Sequence, residues 1–337
     1  MGATSDSLQY EYAAQHFATH HELKTEGNRA YVQWGPLYPI ILSLQANHIR
    51  SFARWLHLVS ISICLILWIR LFASFVNNKW WIAFYGITLV CSTELMLISV
   101  FIWSEPLFMA LMSLFIYLLH RTYHEKTHWI WSAIFAFFML LQRNAGIFLF
   151  AGISLGLIVT FKTNPFKKKQ LFFFMLLSSI GFMCWNFYTM IWQHNHPAQF
   201  DYPEGFSIVT NAQHLSQAIS RWVMPFTETH PIANISGLFM LVGILYISIK
   251  DRHRHSFLTV LATGLMTYLS VWLMIYTSLP DIQRFTAIVY PIFFMLVGYS
   301  LWKLSEKFPK VKRLILVSTY LWLLYPISRF ILQLMRY

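Results

Sequence analysis

From residue 55 onward the chain alternates long apolar stretches with short polar breaks. The stretches show neither the two-residue alternation of a half-buried strand nor the polar stripe of a soluble amphipathic helix. They lie at 55–76, 80–103, 106–120, 129–141, 145–161, 171–192, 235–249, 257–277, 287–302 and 314–332. Crossing about 30 Å of hydrocarbon takes about 20 helical residues. The pattern therefore predicts an all-α, polytopic transmembrane bundle of about ten spans, the third to fifth of them short enough to be re-entrant or sheltered by neighbours. The first 54 residues are a polar leader with an amphipathic helical stretch at 11–20. At 34–39, Pro36 and Pro39 each remove a donor and restrict the preceding residue, so this segment is expected outside any helix interior, with its aromatic rings at the headgroup level. A polar interval at 193–234 holds a helical pattern at 209–223 with Leu215, Ile219 and Trp222 on one face, expected in the membrane interface. Two domains follow: an extracytoplasmic leader at 1–54 and a bundle at 55–337 that includes the 193–234 loop.

Composition fixes the class. The chain is 57% hydrophobic and 11% charged, against roughly 25% charged residues in soluble domains. Its net charge of +12 does not point to nucleic acid, because the cations sit in short loops between apolar runs, where they set topology and meet anionic lipid. Laid alternately on two sides, one side receives Lys79 and the loops at 121–126, 162–169, 250–254 and 303–313. The other receives Arg143, Arg221, Arg284, Arg336 and the leader's Lys24, Arg29, Arg50 and Arg54. The first side is much the richer, hence cytoplasmic, which puts the leader outside. Met1–Gln15 lacks a basic region followed by an apolar one, so either the first hairpin carries the leader across or an apolar helix precedes Met1; the abrupt start favours the second. Cys64, Cys91 and Cys184 lie singly within apolar runs and suggest neither a disulfide framework nor a thiolate site.

The polar motifs gather on the outer side. They are Gly2-Ala-Thr-Ser-Asp6-Ser-Leu-Gln-Tyr10, Trp34-Gly-Pro36-Leu-Tyr38-Pro39, Trp103-Ser-Glu105-Pro106, Gln142-Arg143-Asn144, and Asp281-Ile-Gln-Arg284-Phe285 followed by Tyr290-Pro291. Their order and sidedness resemble the GT-C superfamily of membrane glycosyltransferases, which includes protein O-mannosyltransferases, lipid A aminoarabinose transferases and the mannosyltransferases of glycolipid-anchor assembly. The resemblance runs over most of the chain, through short motifs. It implies transfer of a sugar from a polyprenyl-phosphate donor to the hydroxyl of a glycolipid, glycan or protein acceptor, on the outer face of a membrane, in a bacterial cytoplasmic membrane by its compact size.

That reaction needs a carboxylate to receive or orient the acceptor's proton. The resemblance places it at Asp6, where the plain alternative is a solvated acid near a chain start. Many relatives carry a second acid beside the first; here position 7 is Ser, so a single base or help from Glu11 is implied. The departing lipid phosphate needs fixed positive charge, for which Arg143 and Arg284 are the candidates; the alternative for either is an ion pair with Glu105 or Asp281. Glu105, between Ser104 and Pro106, is either part of a helix cap or a support for the pocket. Tyr10, Glu11, Tyr38, Gln142 and Asp281 complete the expected support. Glu94 lies deep in a span and is expected to bond a neighbouring helix.

No Gly-rich phosphate loop, HExxH or GxSxG is present. His194-Asn-His196 lacks a third ligand at a defined spacing, so no cofactor and no metal is indicated. The rival reading is a transporter or lipid flippase in which Arg70, Glu94 and Arg329 line a path and no bond is made.

Overall fold

The computed structural model describes residues 4–27, 29–32, 34–125, 128–163, 165–195, 207–224, 232–250, 256–275 and 278–335. Among them the chain is almost entirely helical: α1 Ser5–His20, α2 Leu37–Ser43, α3 Ile49–Phe75, α4 Lys79–Val90, α5 Thr93–Val100, α6 Glu105–Glu125, α7 Trp129–Gln142 and α8 Gly146–Val159, then α9 Lys168–Asn195, α10 Ile208–Val223, α11 Ala233–Lys250, α12 Ser256–Val271, α13 Leu279–Ala287, α14 Tyr290–Lys307, α15 Lys312–Trp322 and α16 Leu324–Leu334. The only sheet among these residues is a two-stranded antiparallel ladder, β1 Lys24–Thr25 with β2 Arg29–Ala30. Gly27 in its turn takes a φ of 81°, open to glycine without strain.

Among the described residues, each of the ten apolar stretches lies largely on one or two helices. By length and composition, four are long and apolar enough to cross a membrane: Ala46–Phe75, Lys79–Val100, Lys168–Ile191 and Pro309–Leu334. A fifth qualifies if the pair Leu279–Ala287 and Tyr290–Lys307, bent by 66°, counts as one span. α7, α8 and α12, with 14, 14 and 16 residues, reach only about 21–24 Å at 1.5 Å per residue, short of a full crossing. The protein is a polytopic, all-α integral membrane protein.

The chain divides into two compact units. The first comprises residues 1–64, 97–150 and 165–201. Its core joins Tyr10, Ala13 and Ala14 of α1 to Tyr31, Tyr38, Leu42, Ile49, Ala53, Ile102 and Leu107, with Trp34 and Trp185 packed against them. α1 begins six residues earlier than the sequence pattern suggests. Thr4 caps it by accepting the Ser7 N–H at 3.2 Å, and His21, at φ 57°, ends it with its N–H on the Phe17 carbonyl at 2.9 Å.

The segment at 34–39 stays out of a helix interior, as its prolines predict. It opens α2, with Pro36 as the preceding residue and Pro39 inside the first turn. A first-turn residue has no intrahelical acceptor for its N–H, so the ring costs nothing there.

The second unit comprises residues 65–96, 151–164 and 202–337. Here α10 differs from the sequence reading. Leu215, Ile219 and Trp222 are buried in a helix that packs on α11 and α13, with Trp222 edge-on to Tyr290 and Phe293 at 5.4 and 5.1 Å. The apolar face binds protein rather than the membrane interface, each such side chain contributing about 1.5–3 kcal/mol of burial. Gly237 of α11 lies against the Ser216 backbone, so closely that a Cβ there overlaps the carbonyl oxygen. His196, Asp201, Glu204, Glu228 and His230 of the 193–234 interval lie outside the described residues.

Candidate active site

In the first unit, three sequence-distant segments meet at Ser104, immediately before α6. The Ser104 hydroxyl oxygen accepts from the Tyr10 phenol at 3.1 Å and from Arg143 Nη1 at 3.1 Å. The Ser104 carbonyl accepts from Gln142 Nε2 at 3.1 Å. Next door, Trp103 Nε1 donates to Thr4 Oγ1 at 2.9 Å, so the start of α1 is tied to the same turn. Asp6 is half-buried in the first turn of α1, at the positive end of that helix's dipole.

Glu105 and Arg143 form an ion pair at 2.7 Å, their side chains 0% and 11% exposed. Of the alternatives raised by the sequence for Glu105, the pair with Arg143 is formed, and it uses the carboxylate's charge. Two charges this poorly hydrated persist because each supplies the other's counter-ion; removing one partner of such a pair costs about 3–5 kcal/mol. Gln142 is buried, and its Oε1 has no hydrogen-bond donor among the described residues. Neither do the buried Asn144 Oδ1 and Gln9 Oε1. An unmatched buried acceptor costs about 1–3 kcal/mol.

Aromatic rings enclose Tyr10. Tyr38 meets it edge-on at 5.0 Å, Trp34 lies at 5.7 Å and Tyr31 at 6.5 Å. Burial pushes the Tyr31 phenol well above the usual tyrosine range; neighbouring Tyr10 and Asp6 push the same way, while Arg143 opposes them. Burial, followed by Tyr10, Glu105 and Glu11, likewise raises Tyr38. The Tyr38 hydroxyl and His57 Nε2 are 2.7 Å apart.

Gly35 sets the position of Arg143. Its α-carbon packs on the Leu141 and Gln142 carbonyls, and a Cβ there overlaps both backbone oxygens. The end of α7, and so the residue that follows it, is held against the turn that leads into α2.

Glu11 is bonded by Arg50 at 2.8 and 3.2 Å, fastening α1 to α3. Asp281 and Arg284 belong to the second unit. Ser278 caps α13 by accepting the Asp281 N–H at 3.4 Å and donates its hydroxyl to Asp281 Oδ2 at 2.6 Å, a reciprocal cap. Arg284 is buried, its guanidinium 5.8 Å from the Phe285 ring centre. On the same helix Gln283 Oε1 accepts from Arg221 Nη1 at 2.7 Å. Glu94 meets Arg329 at 3.1 Å and accepts from Thr93 at 2.9 Å, while Arg329 also donates to the Arg221 carbonyl at 2.7 Å. Two of the three charges on which a transport path was read are thus engaged with each other. Among the described residues, no three His, Cys, Asp or Glu side chains gather as a metal requires.

The sequence reading missed Ser104 as a junction and His57 and Tyr31 altogether. Ser104 is visible in the sequence only as part of a cap, and nothing local marks the other two.

This is a polytopic membrane protein whose first unit assembles a buried acid, a cation and polar acceptors at one turn. No family model and no curated protein matches the chain. Among solved structures it is similar to ArnT from Cupriavidus metallidurans in the apo state, with a TM-score of 0.57 and 13% identity. The match covers 90% of this chain and 56% of ArnT, so this chain spans little more than half of that protein's length. The likeness is one of fold.

Proposed function

We propose that the protein is a membrane glycosyltransferase of the GT-C kind, moving a sugar from a polyprenyl phosphate to an acceptor hydroxyl on the outer face of a bacterial cytoplasmic membrane. The fold shared with ArnT, a lipid A aminoarabinose transferase, supports this reading. The observation that carries it is the Ser104 junction, where Tyr10, Gln142 and the Glu105–Arg143 pair meet beside the helix that bears Asp6. In the proposed step the acceptor oxygen bonds to the sugar's anomeric carbon as the bond from that carbon to the phosphate oxygen breaks. Asp6 takes the acceptor's proton, and the polyprenyl phosphate leaves as an anion.

Arg143, oriented by Glu105, stabilises the developing phosphate charge; because Glu105 offsets much of its own charge, it acts chiefly as a directed donor. The unmatched Gln142 Oε1 and Asn144 Oδ1 suit the hydroxyl donors of a sugar. The motif also offers Arg284 of the second unit as a phosphate-binding residue, tested separately by its own variant.

The test is turnover of labelled polyprenyl-phosphate sugars by the purified full chain in liposomes. Losing a general base costs about 10²–10⁴-fold, so Asp6→Asn is expected to fall by at least the lower figure and Arg284→Gln to weaken turnover. Undiminished turnover in Asp6→Asn removes Asp6 from the mechanism. No turnover of any such donor by the wild-type protein overturns the reading.

A further inference from the structure

A groove of about 400 Å³ runs between α3 and the end of α5 in the first unit, lined by Arg54, His57, Leu58, Ile61, Ser99 and Val100. Its polar floor is His57, whose Nε2 faces the Tyr38 hydroxyl and whose Nδ1 lies 3.4 Å from the Ser99 carbonyl. Its walls are aliphatic, and Leu58 is 58% exposed. Arg54, also exposed, has no hydrogen-bond or ion-pair partner among the described residues. One turn earlier Arg50 is matched by Glu11.

Depth tells what Arg54 meets. The span Ala46–Phe75 has 30 residues, about 45 Å at 1.5 Å per residue, against about 30 Å of hydrocarbon. Centred in the bilayer it overhangs by about 7 Å at each end, which puts the Arg54 backbone, about 12 Å from the start, some 5 Å inside the hydrocarbon edge. From there its side chain reaches back to the phosphate level. Trp55 beside it is 66% exposed, as in the aromatic belt of that level. Leu58 and Ile61, four and seven residues on, continue the same stripe into the hydrocarbon.

We propose that this groove seats an anionic glycerophospholipid of the surrounding leaflet, with Arg54 holding the phosphate and Leu58, Ile61 and Val100 cradling the upper part of one acyl chain. A zwitterionic head has a phosphate but no net charge, so a head with net negative charge balances Arg54 better and is favoured. Behind the floor, His57 contacts the Tyr38 hydroxyl, and the Tyr38 ring meets Tyr10 edge-on; an occupied groove thereby braces the ring cluster beside Ser104. The proposal stands apart from the transfer reaction and survives its failure.

Native mass spectrometry of the purified full chain tests it, with phosphatidylglycerol, phosphatidylcholine and undecaprenyl phosphate titrated singly and in competition. Phosphatidylglycerol is expected to bind about tenfold more tightly than phosphatidylcholine, and to lose about tenfold in Arg54→Gln, the weight of one charged hydrogen bond. Arg54→Lys is expected to keep most of the binding and Leu58→Trp, which fills the groove, to lower it, both with unchanged thermal unfolding. Equal retention by wild type and Arg54→Gln, or equal binding of the two phospholipids, overturns the proposal. Displacement of phosphatidylglycerol by equimolar undecaprenyl phosphate overturns it too, assigning the groove to an isoprenoid phosphate.

Discussion

Replacing Glu105 by glutamine, with Arg143 left in place, removes the counter-ion of a guanidinium that is only 11% exposed. At 2.7 Å and with no exposure of the carboxylate, solvent screens the attraction poorly. The expected loss is the cost of an orphaned buried charge, about 3–5 kcal/mol. For a protein of this length that lowers the unfolding temperature by on the order of 10 °C. Arg143→Gln strands Glu105 in the same way and is expected to cost a similar amount. The double variant restores neutrality and a glutamine–glutamine contact, so its cost is expected to fall at least about 2 kcal/mol short of the sum of the singles. Differential scanning fluorimetry and denaturant titration of the four proteins in one detergent measure the cycle. Strict additivity, within about 0.5 kcal/mol, refutes the argument, because it leaves the two side chains energetically independent despite their contact.

Two further outcomes follow from the packing and the phenols. Gly35→Ala is expected to cost about 1–3 kcal/mol and to weaken any turnover by pushing the end of α7 off the leader, whereas Gly243→Ala, with nothing within 4 Å of its added Cβ, is expected to be neutral or slightly stabilising in a melting assay; equal effects refute the close-approach argument. Tyr31 and Tyr38 have folded-state values raised above the unfolded ones, so the stability they contribute is whole below about pH 10 and is lost as pH rises beyond it. Tyr31→Phe with Tyr38→Phe is expected to flatten that alkaline decline in unfolding free energy, and an unchanged slope in the variant counts against it.

The apolar runs were legible because hydrocarbon imposes a composition that residues 55–76 or 171–192 display without reference to anything else. Glu94 was legible as a bonded acid for the same reason: a lone carboxylate in a span is too costly to leave unmatched. The errors have physical causes. Leu215, Ile219 and Trp222 form an apolar face that a membrane interface and a neighbouring helix reward equally, and periodicity does not distinguish the two. Pro36 and Pro39 were legible as barred from a helix interior, but not as the start of a helix, because a proline tolerated in a first turn reads the same as one in a loop. The Ser104 junction draws on Tyr10, Ser104 and Gln142–Arg143, and only tertiary packing brings those three segments to one hydroxyl. His57 carries no local mark, because its partner Tyr38 lies 19 residues away on another helix.

The pairing of Glu94 with Arg329 has a bearing on biosynthesis. Its members are 235 residues apart, so a ribosome adding about 5–20 residues per second delivers the arginine tens of seconds after the acid. During that interval Glu94 is without this ion partner. A chain truncated before α16 likewise lacks Arg329, the ion partner of Glu94.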